Sequence, residues 1–180
     1  MPERLHFTDS DAANELIARD PLALLIGFAL DQQVTVQKAF EGPLVIQERL
    51  GTLDAGALAA IDLEPAFRQR PAVHRYPSSM AKRVRDLTAH VAEHYDGDAG
   101  RIWSDAVSAP DLRRRLEALP GFGAMKVDGL AAVLAKRFGV QAAEALVPAH
   151  PTLGDVDSPQ ALEEYQAAKR AHKARLRAAS

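Results

Sequence analysis

The chain has 180 residues, 47% of them apolar and 26% charged, with a formal charge of −2. That length suffices for one well-buried core or for two small lobes sharing a cleft, and the balance is that of a soluble globular protein. The absence of cysteine excludes disulfides, thiolate zinc sites, iron–sulfur clusters and cysteine nucleophiles, and no apolar run approaches the ~20 residues that cross a bilayer. The opening MPERLHFTDSDAANELIARD lacks the charged-then-apolar pattern of a signal peptide. A cytoplasmic location follows as the expectation, at the nucleoid if the chain is bacterial.

Alternating Val-, Ile- and Tyr-rich runs are missing, while Ala, Leu, Arg and Glu recur at helical spacing, so the expected fold class is all-α. A helix is predicted over 9–19, capped by Thr8 or Asp9, and a second over 21–31, where Asp20-Pro21 forms a cap and first turn. The second, PLALLIGFAL, is apolar on nearly every side and should be the central buried helix. After a break at 31–33, a third helix runs over 34–50 to Gly51. A short helix follows at 53–61, and 62–77, with three prolines, reads as a loop-rich crossing. Ser78 or Ser79 then caps a helix to His94, with Met80, Val84, Leu87 and Val91 as its buried stripe, and 95–100 is a turn. Trp103 reads as core. Further helices are predicted over 111–119, over 124–138 with Gly139 as the stop, and over 159–178 behind Ser158-Pro159. Residues 140–157 read as a loop or linker.

The sharpest local signal is Leu119-Pro120-Gly121-Phe122-Gly123 between two amphipathic helices. Two glycines around one apolar residue permit a very tight turn, which Phe122 pins to the helix pair. Gly123 then opens a helix whose free N–H groups and dipole suit a phosphate oxygen. A plain αα-hairpin with a glycine cap has the same local features. Residues 111–140 hold six Lys or Arg against three acids, and Lys126, beside the hairpin, is the cation expected to approach a phosphate.

LPGFGAMKV resembles the helix-hairpin-helix motif LPGhGxxxA, with Val127 in place of the small residue. DPLALLIGFALDQQVTVQKAF and SSMAKRVRDLTAHVAEHY resemble two further tracts of the helix-hairpin-helix (HhH-GPD) DNA glycosylase superfamily, in the same order and spacing, over residues 20–139. The resemblance implies a two-lobed helical fold with a DNA cleft. A single unit over 1–180 is expected, with a hairpin-bearing lobe at 34–138 and a second lobe of 1–33 plus 140–180.

The resemblance further implies binding of double-stranded DNA by a monomer that needs no cofactor or metal, with Gly121, Phe122, Gly123, Met125 and Lys126 at the phosphate. Gln33, with Gln32 beside it, would fill the gap left by an extruded nucleotide, which offsets part of the few kcal/mol that flipping costs. The implied activity is base excision by a monofunctional glycosylase, and a non-catalytic duplex- or lesion-binding protein is the alternative. Met125 stands where the lysine of bifunctional members would be, so no lyase activity is expected. The catalytic aspartate of the resemblance falls on Asp157, with Asp155 second and Glu144 third, although Asp157 or Ser158 before Pro159 also reads as an ordinary helix cap. Tyr76 is the candidate to stack on an extruded base. His90 and His94 have the i, i+4 spacing of a ligand pair, but without HExxH they read as surface residues. The closing KRAHKARLR, five positive charges without an acid, suits either a phosphate contact or a solubilising end.

Overall fold

In the computed structural model, which describes residues 1–180, every regular element is a helix. The first, α1 (Asp11–Arg19), starts at Ser10, whose hydroxyl accepts from the Ala13 N–H at 3.2 Å. The expected cap Thr8 lies too early. It forms instead a buried turn in which the Asn14 side chain accepts from the N–H groups of Phe7 and Thr8. Asp20 caps α2 (Pro21–Leu30) as predicted, accepting from Leu22 at 2.9 Å. Residues 22–30 are all buried. A helix apolar all round must be covered on every side, and α3 (Val36–Leu50) supplies one cover at very short range. A Cβ on Gly27 would lie 2.3 Å from the ring of Phe40, which meets Phe7 and Phe28 edge-on at 5.0 and 5.2 Å. Gly51, at φ +75°, ends α3 as expected.

The 62–77 crossing is more ordered than its prolines suggest. After α4 (Ala55–Ala59) it contains α5 (Glu64–Arg68), and Arg49 donates to three of its carbonyls, Ala66 at 2.9 Å, Gln69 at 2.8 Å and Pro71 at 2.6 Å. The next helix, α6 (Pro77–Tyr95), buries the predicted stripe together with Ala81 and Thr88. No side chain caps it, and Ser78 donates to Glu64 instead. A short α7 (Arg101–Ser104) lies outside the predicted elements, and it leaves Trp103 half-buried against the core. Ser108 starts α8 (Ala109–Glu117) two residues earlier than the expected Asp111. The last long pair is α9 (Ala124–Phe138), ended by Gly139, and α11 (Pro159–Ala179), capped by Ser158, with α10 (Gln141–Glu144) between them.

Residues 140–157 are not a linker. They carry α10 and a 3-10 turn (Leu153–Asp155) that packs on α9 so closely that a Cβ at Gly154 would lie 2.7 Å from the Ala132 backbone. Nor does the packing follow the expected lobes of 34–138 against 1–33 plus 140–180. The third helix packs on α1 and α2, while α10 and the 3-10 turn pack on α8 and α9. The cause is α2, whose unbroken apolar surface draws α3 to the N-terminal helices. Leu153 and Val156 complete the apolar face of α9 in the same way. A single core of 44 buried residues runs through both groups. No helix is long and apolar enough to cross a membrane.

Candidate nucleic-acid interface

The turn between α8 and α9 has the geometry its glycines predict. Gly121 sits at φ +81°, in the left-handed region, and Phe122 is buried beneath it. Gly123 leads into α9 with extended backbone, φ −82° and ψ −178°, and no side chain caps the helix. The N–H groups of Ala124, Met125 and Lys126 therefore find no acceptor within the protein. Open space surrounds the position a Gly123 Cβ would take, and Met125 is 84% exposed beside it.

A second polar feature stands where α2 ends. Gln33 has φ +55°, a conformation that costs a non-glycine residue about 1–2 kcal/mol. Its side-chain oxygen accepts from the Tyr76 hydroxyl at 3.1 Å, and both residues are exposed. The turn is locked from below by buried His74, whose Nδ1 accepts from the Tyr76 N–H at 2.9 Å. The ring proton is thus on Nε2, which donates to the carbonyls of Leu30 at 3.0 Å and Gln32 at 3.1 Å. Burial lowers the His74 pKa below the usual imidazole value, despite those two bonds, and keeps the ring neutral at pH 7. Arg83 of α6 donates to the Gln32 side chain and also covers the hairpin, because a Cβ on Gly121 would lie 2.9 Å from Arg83 Cδ. One guanidinium stem therefore touches both the glutamine turn and the hairpin.

Between the end of α2, the start of α9, residues 150–153 and α11 lies a cavity of about 160 Å³. Asp31, Lys126, His150, Thr152, Tyr165 and Lys169 supply its charged and polar lining, over Phe28. Burial raises the Asp31 pKa, against the opposing charges of Lys169, Lys126 and Lys173. An acid at a helix C-terminus is also unfavourable against the helix dipole. Lys126 offsets both, donating to the carbonyls of Phe28 at 2.6 Å and Ala29 at 3.1 Å. Burial lowers its own pKa to about 8, with Asp31 pulling it up and Arg83 pushing it down. The Tyr165 hydroxyl is shifted upward by burial and by the charges of Asp31 and Asp155.

No family model, curated protein or solved structure matches the chain. The site therefore rests on its own geometry.

That geometry redistributes the expected roles. Arg83 links Gln32 to Gly121, with Gln33 next in the chain to the one and Phe122 and Gly123 to the other, and Met125 lines the cavity. Lys126 is turned inward to the end of α2, so its ammonium is not held out toward a phosphate. The other expected cations around the hairpin are also largely engaged: Arg113 with Glu117, Arg114 and Arg115 with Asp111, and Lys136 with Asp155. Tyr76 stands outside the cavity, on Gln33, with Arg75 over its ring at 5.4 Å. Asp157 and Glu144 are exposed and line no part of the cavity. Asp155 closes a capping box with Thr152 and pairs with Lys136. Burial raises its pKa, but those hydrogen bonds and the charges of Lys136 and Arg137 outweigh it, for a net lowering. The rings of His90 and His94 lie 4.4 Å apart, tilted by 46°, in a groove also lined by Arg101, Arg114 and Arg115.

The carboxylate in the cavity is Asp31, which the sequence pattern marks only as part of a break. A signal was present, since an acid directly after ten residues of apolar helix opposes both the dipole and the burial there. Arg83, His74 and Tyr165 carried no comparable mark, and Lys169 was marked only as the start of the basic KRAHKARLR tract.

Proposed function

We propose that this chain binds duplex DNA through the 121–126 hairpin and removes an extruded base by hydrolysing its N-glycosidic bond. The carrying observation is the convergence of three features on the α2–α9 junction. These are free backbone amides at the hairpin, an exposed Gln33–Tyr76 pair, and a small cavity holding a carboxylate. The amides would hold a phosphate without reading sequence. Gln33 and Tyr76 would enter the stack and fill the space of the departed nucleotide. At about 160 Å³ the cavity lies below the ~300 Å³ at which pockets for drug-sized ligands begin, which suits a single base.

In this reading Asp31, rather than Asp157 or Asp155, supplies the carboxylate. It accepts a proton from a water whose oxygen bonds to C1′, while the C1′–N bond breaks and its electron pair leaves with the base. The departing base then takes up that proton. A carboxyl pushed upward by burial works closer to neutral pH than an ordinary one. Lys126 is occupied by two carbonyls, which supports a monofunctional enzyme without lysine-dependent lyase activity.

The test is a set of end-labelled duplexes carrying uracil, 8-oxoguanine, alkylated purines or thymine mismatches, read with and without alkali. An alkali-dependent cut on one lesion, abolished by Asp31→Asn with binding retained and unaffected by Asp157→Asn, is the expected result. A cut abolished by Asp157→Asn instead would return the role to the residue that the sequence resemblance picks out. A second reading, a non-catalytic lesion-binding protein, is favoured by the three lysines around Asp31 and by the outward placement of Asp157 and Glu144. Lesion-selective binding with no cut on any substrate would establish it.

A further inference from the structure

Of the 22 Lys and Arg, five lie in residues 165–180, which hold none of the 24 acids. The remaining 17 against 24 leave residues 1–164 with a formal charge of −7. A body of that sign repels a polyanion at long range. The compensating charge sits on α11, whose first turns lie against the 3-10 turn and, through paired Gln37 and Gln166 amides, against α3. Beyond Gln166 the helix stands clear, and every residue except Lys169 is exposed. None of Lys169, Arg170, Lys173, Arg175 or Arg177 pairs with an acid, whereas the arginines of α8 all do.

The direction of this helix matters as much as its charge. Lys169 lines the cavity, and Lys173 lies close enough for its charge to act on Asp31, so the stripe runs out from the cavity mouth. Lys169, Lys173 and Arg177 follow at i, i+4 and i+8, each step rotating ~40° about the axis, and Arg170 lies beside Arg177. From Lys169 to Arg177 the rise is about 12 Å. Along a duplex that length passes three or four phosphates of one strand.

We propose that the free part of α11 is an arm that lies along the phosphate backbone of duplex DNA beside the cavity and supplies most of the long-range attraction. This inference rests on the DNA reading above. It assigns the electrostatic share of binding to the arm and leaves the local phosphate contact to the hairpin.

The experiment uses the full chain and a short undamaged duplex, with affinity measured from low to moderate salt. The variant carries Arg170→Gln, Lys173→Gln and Arg177→Gln, all outside the cavity, and unchanged circular dichroism checks its fold. The slope of log K against log salt should become shallower by about 2 to 3, at ~0.9 for each phosphate no longer neutralised. A companion variant with Arg170→Lys, Lys173→Arg and Arg177→Lys should keep the wild-type slope. An unchanged slope in the glutamine variant overturns the arm. If Gly123→Val still weakens binding in that case, the hairpin reading survives alone. Failure of the wild-type chain to bind any duplex overturns both. Tighter binding to vesicles of phosphatidylcholine and phosphatidylserine than to the duplex would overturn the arm's assignment to DNA.

Discussion

Lys126, from the hairpin helix, donates to the carbonyl of Phe28 at 2.6 Å, so the hairpin turn and the most deeply buried helix share an end. Replacing Lys126 with Met should leave the Ala29 carbonyl without a donor and the Phe28 carbonyl with only the Asp31 N–H at 3.2 Å, and cost about 1–2 kcal/mol. The pH dependence is a second check. The Lys126 pKa is lowered from 10.5 to about 8, so between those values the unfolded chain holds more protons than the native one and stability rises with pH. Urea unfolding from pH 7.5 to 9.5 should show that rise in the wild type and lack it in the variant.

Gln33 pays for its backbone. At φ +55° a glycine would be at ease. Gln33→Gly is therefore expected to be neutral or stabilising by up to ~1 kcal/mol. Its action on damaged duplexes should nonetheless fall at least tenfold. Thermal unfolding and single-turnover cleavage, measured on the same preparation, check the two halves. Loss of stability with full activity would remove Gln33 from the site.

The two hairpin glycines should separate fold from contact. Gly121→Ala meets both a left-handed backbone and Arg83 Cδ at 2.9 Å, and should cost about 1–2 kcal/mol. Gly123→Ala has ordinary φ and open space, so stability should move by less than ~0.5 kcal/mol. Its methyl would nevertheless enter the open space beside the start of α9, where a phosphate would approach, and should weaken duplex binding several-fold. Paired melting and gel-shift measurements distinguish the two effects.

His74 should report as a stability switch in mild acid. Its folded pKa is lowered, so the native state opposes protonation. Its contribution is complete above the unfolded value near 6.5 and declines as pH falls from there toward the folded value. Protonation would place an Nδ1–H against the Tyr76 N–H. His74→Ala should cost about 2–4 kcal/mol, by cavity formation and one orphaned carbonyl, that of Gln32 (the Leu30 carbonyl keeps the Gln32 N–H at 2.8 Å), and flatten stability over that window. Denaturation at pH 5 and pH 7.5 checks both.

The long helices are readable in the sequence because each has a stripe and a stop. The stripe of α6, the Asp20 cap of α2 and the glycine ends of α3 and α9 all lie where simple patterning puts them. Short helices such as α5 and α7 escape a periodicity argument, since five residues make little more than one turn. The hairpin is legible in the same way, because its backbone geometry is written in two glycines. The cavity is not. Asp31, Lys126 and the Tyr165–Lys169 pair of α11 are far apart in the sequence, and no spacing along the chain announces that they meet. Asp157 draws attention because Asp-Ser-Pro is a good helix start, and in the structure Ser158 caps α11 beside it.

Arg49 holds the 66–71 crossing by three main-chain carbonyls, a grip indifferent to which side chains those residues carry. Arg68, Arg70 and Arg75 stand on the outer surface of that segment and line one open groove next to Tyr76. The path of the loop and the identity of what it displays are therefore decoupled. This is the stretch where substitutions at the exposed positions, by drift or by design, can retune what the protein presents to a partner while its scaffold stays as it is.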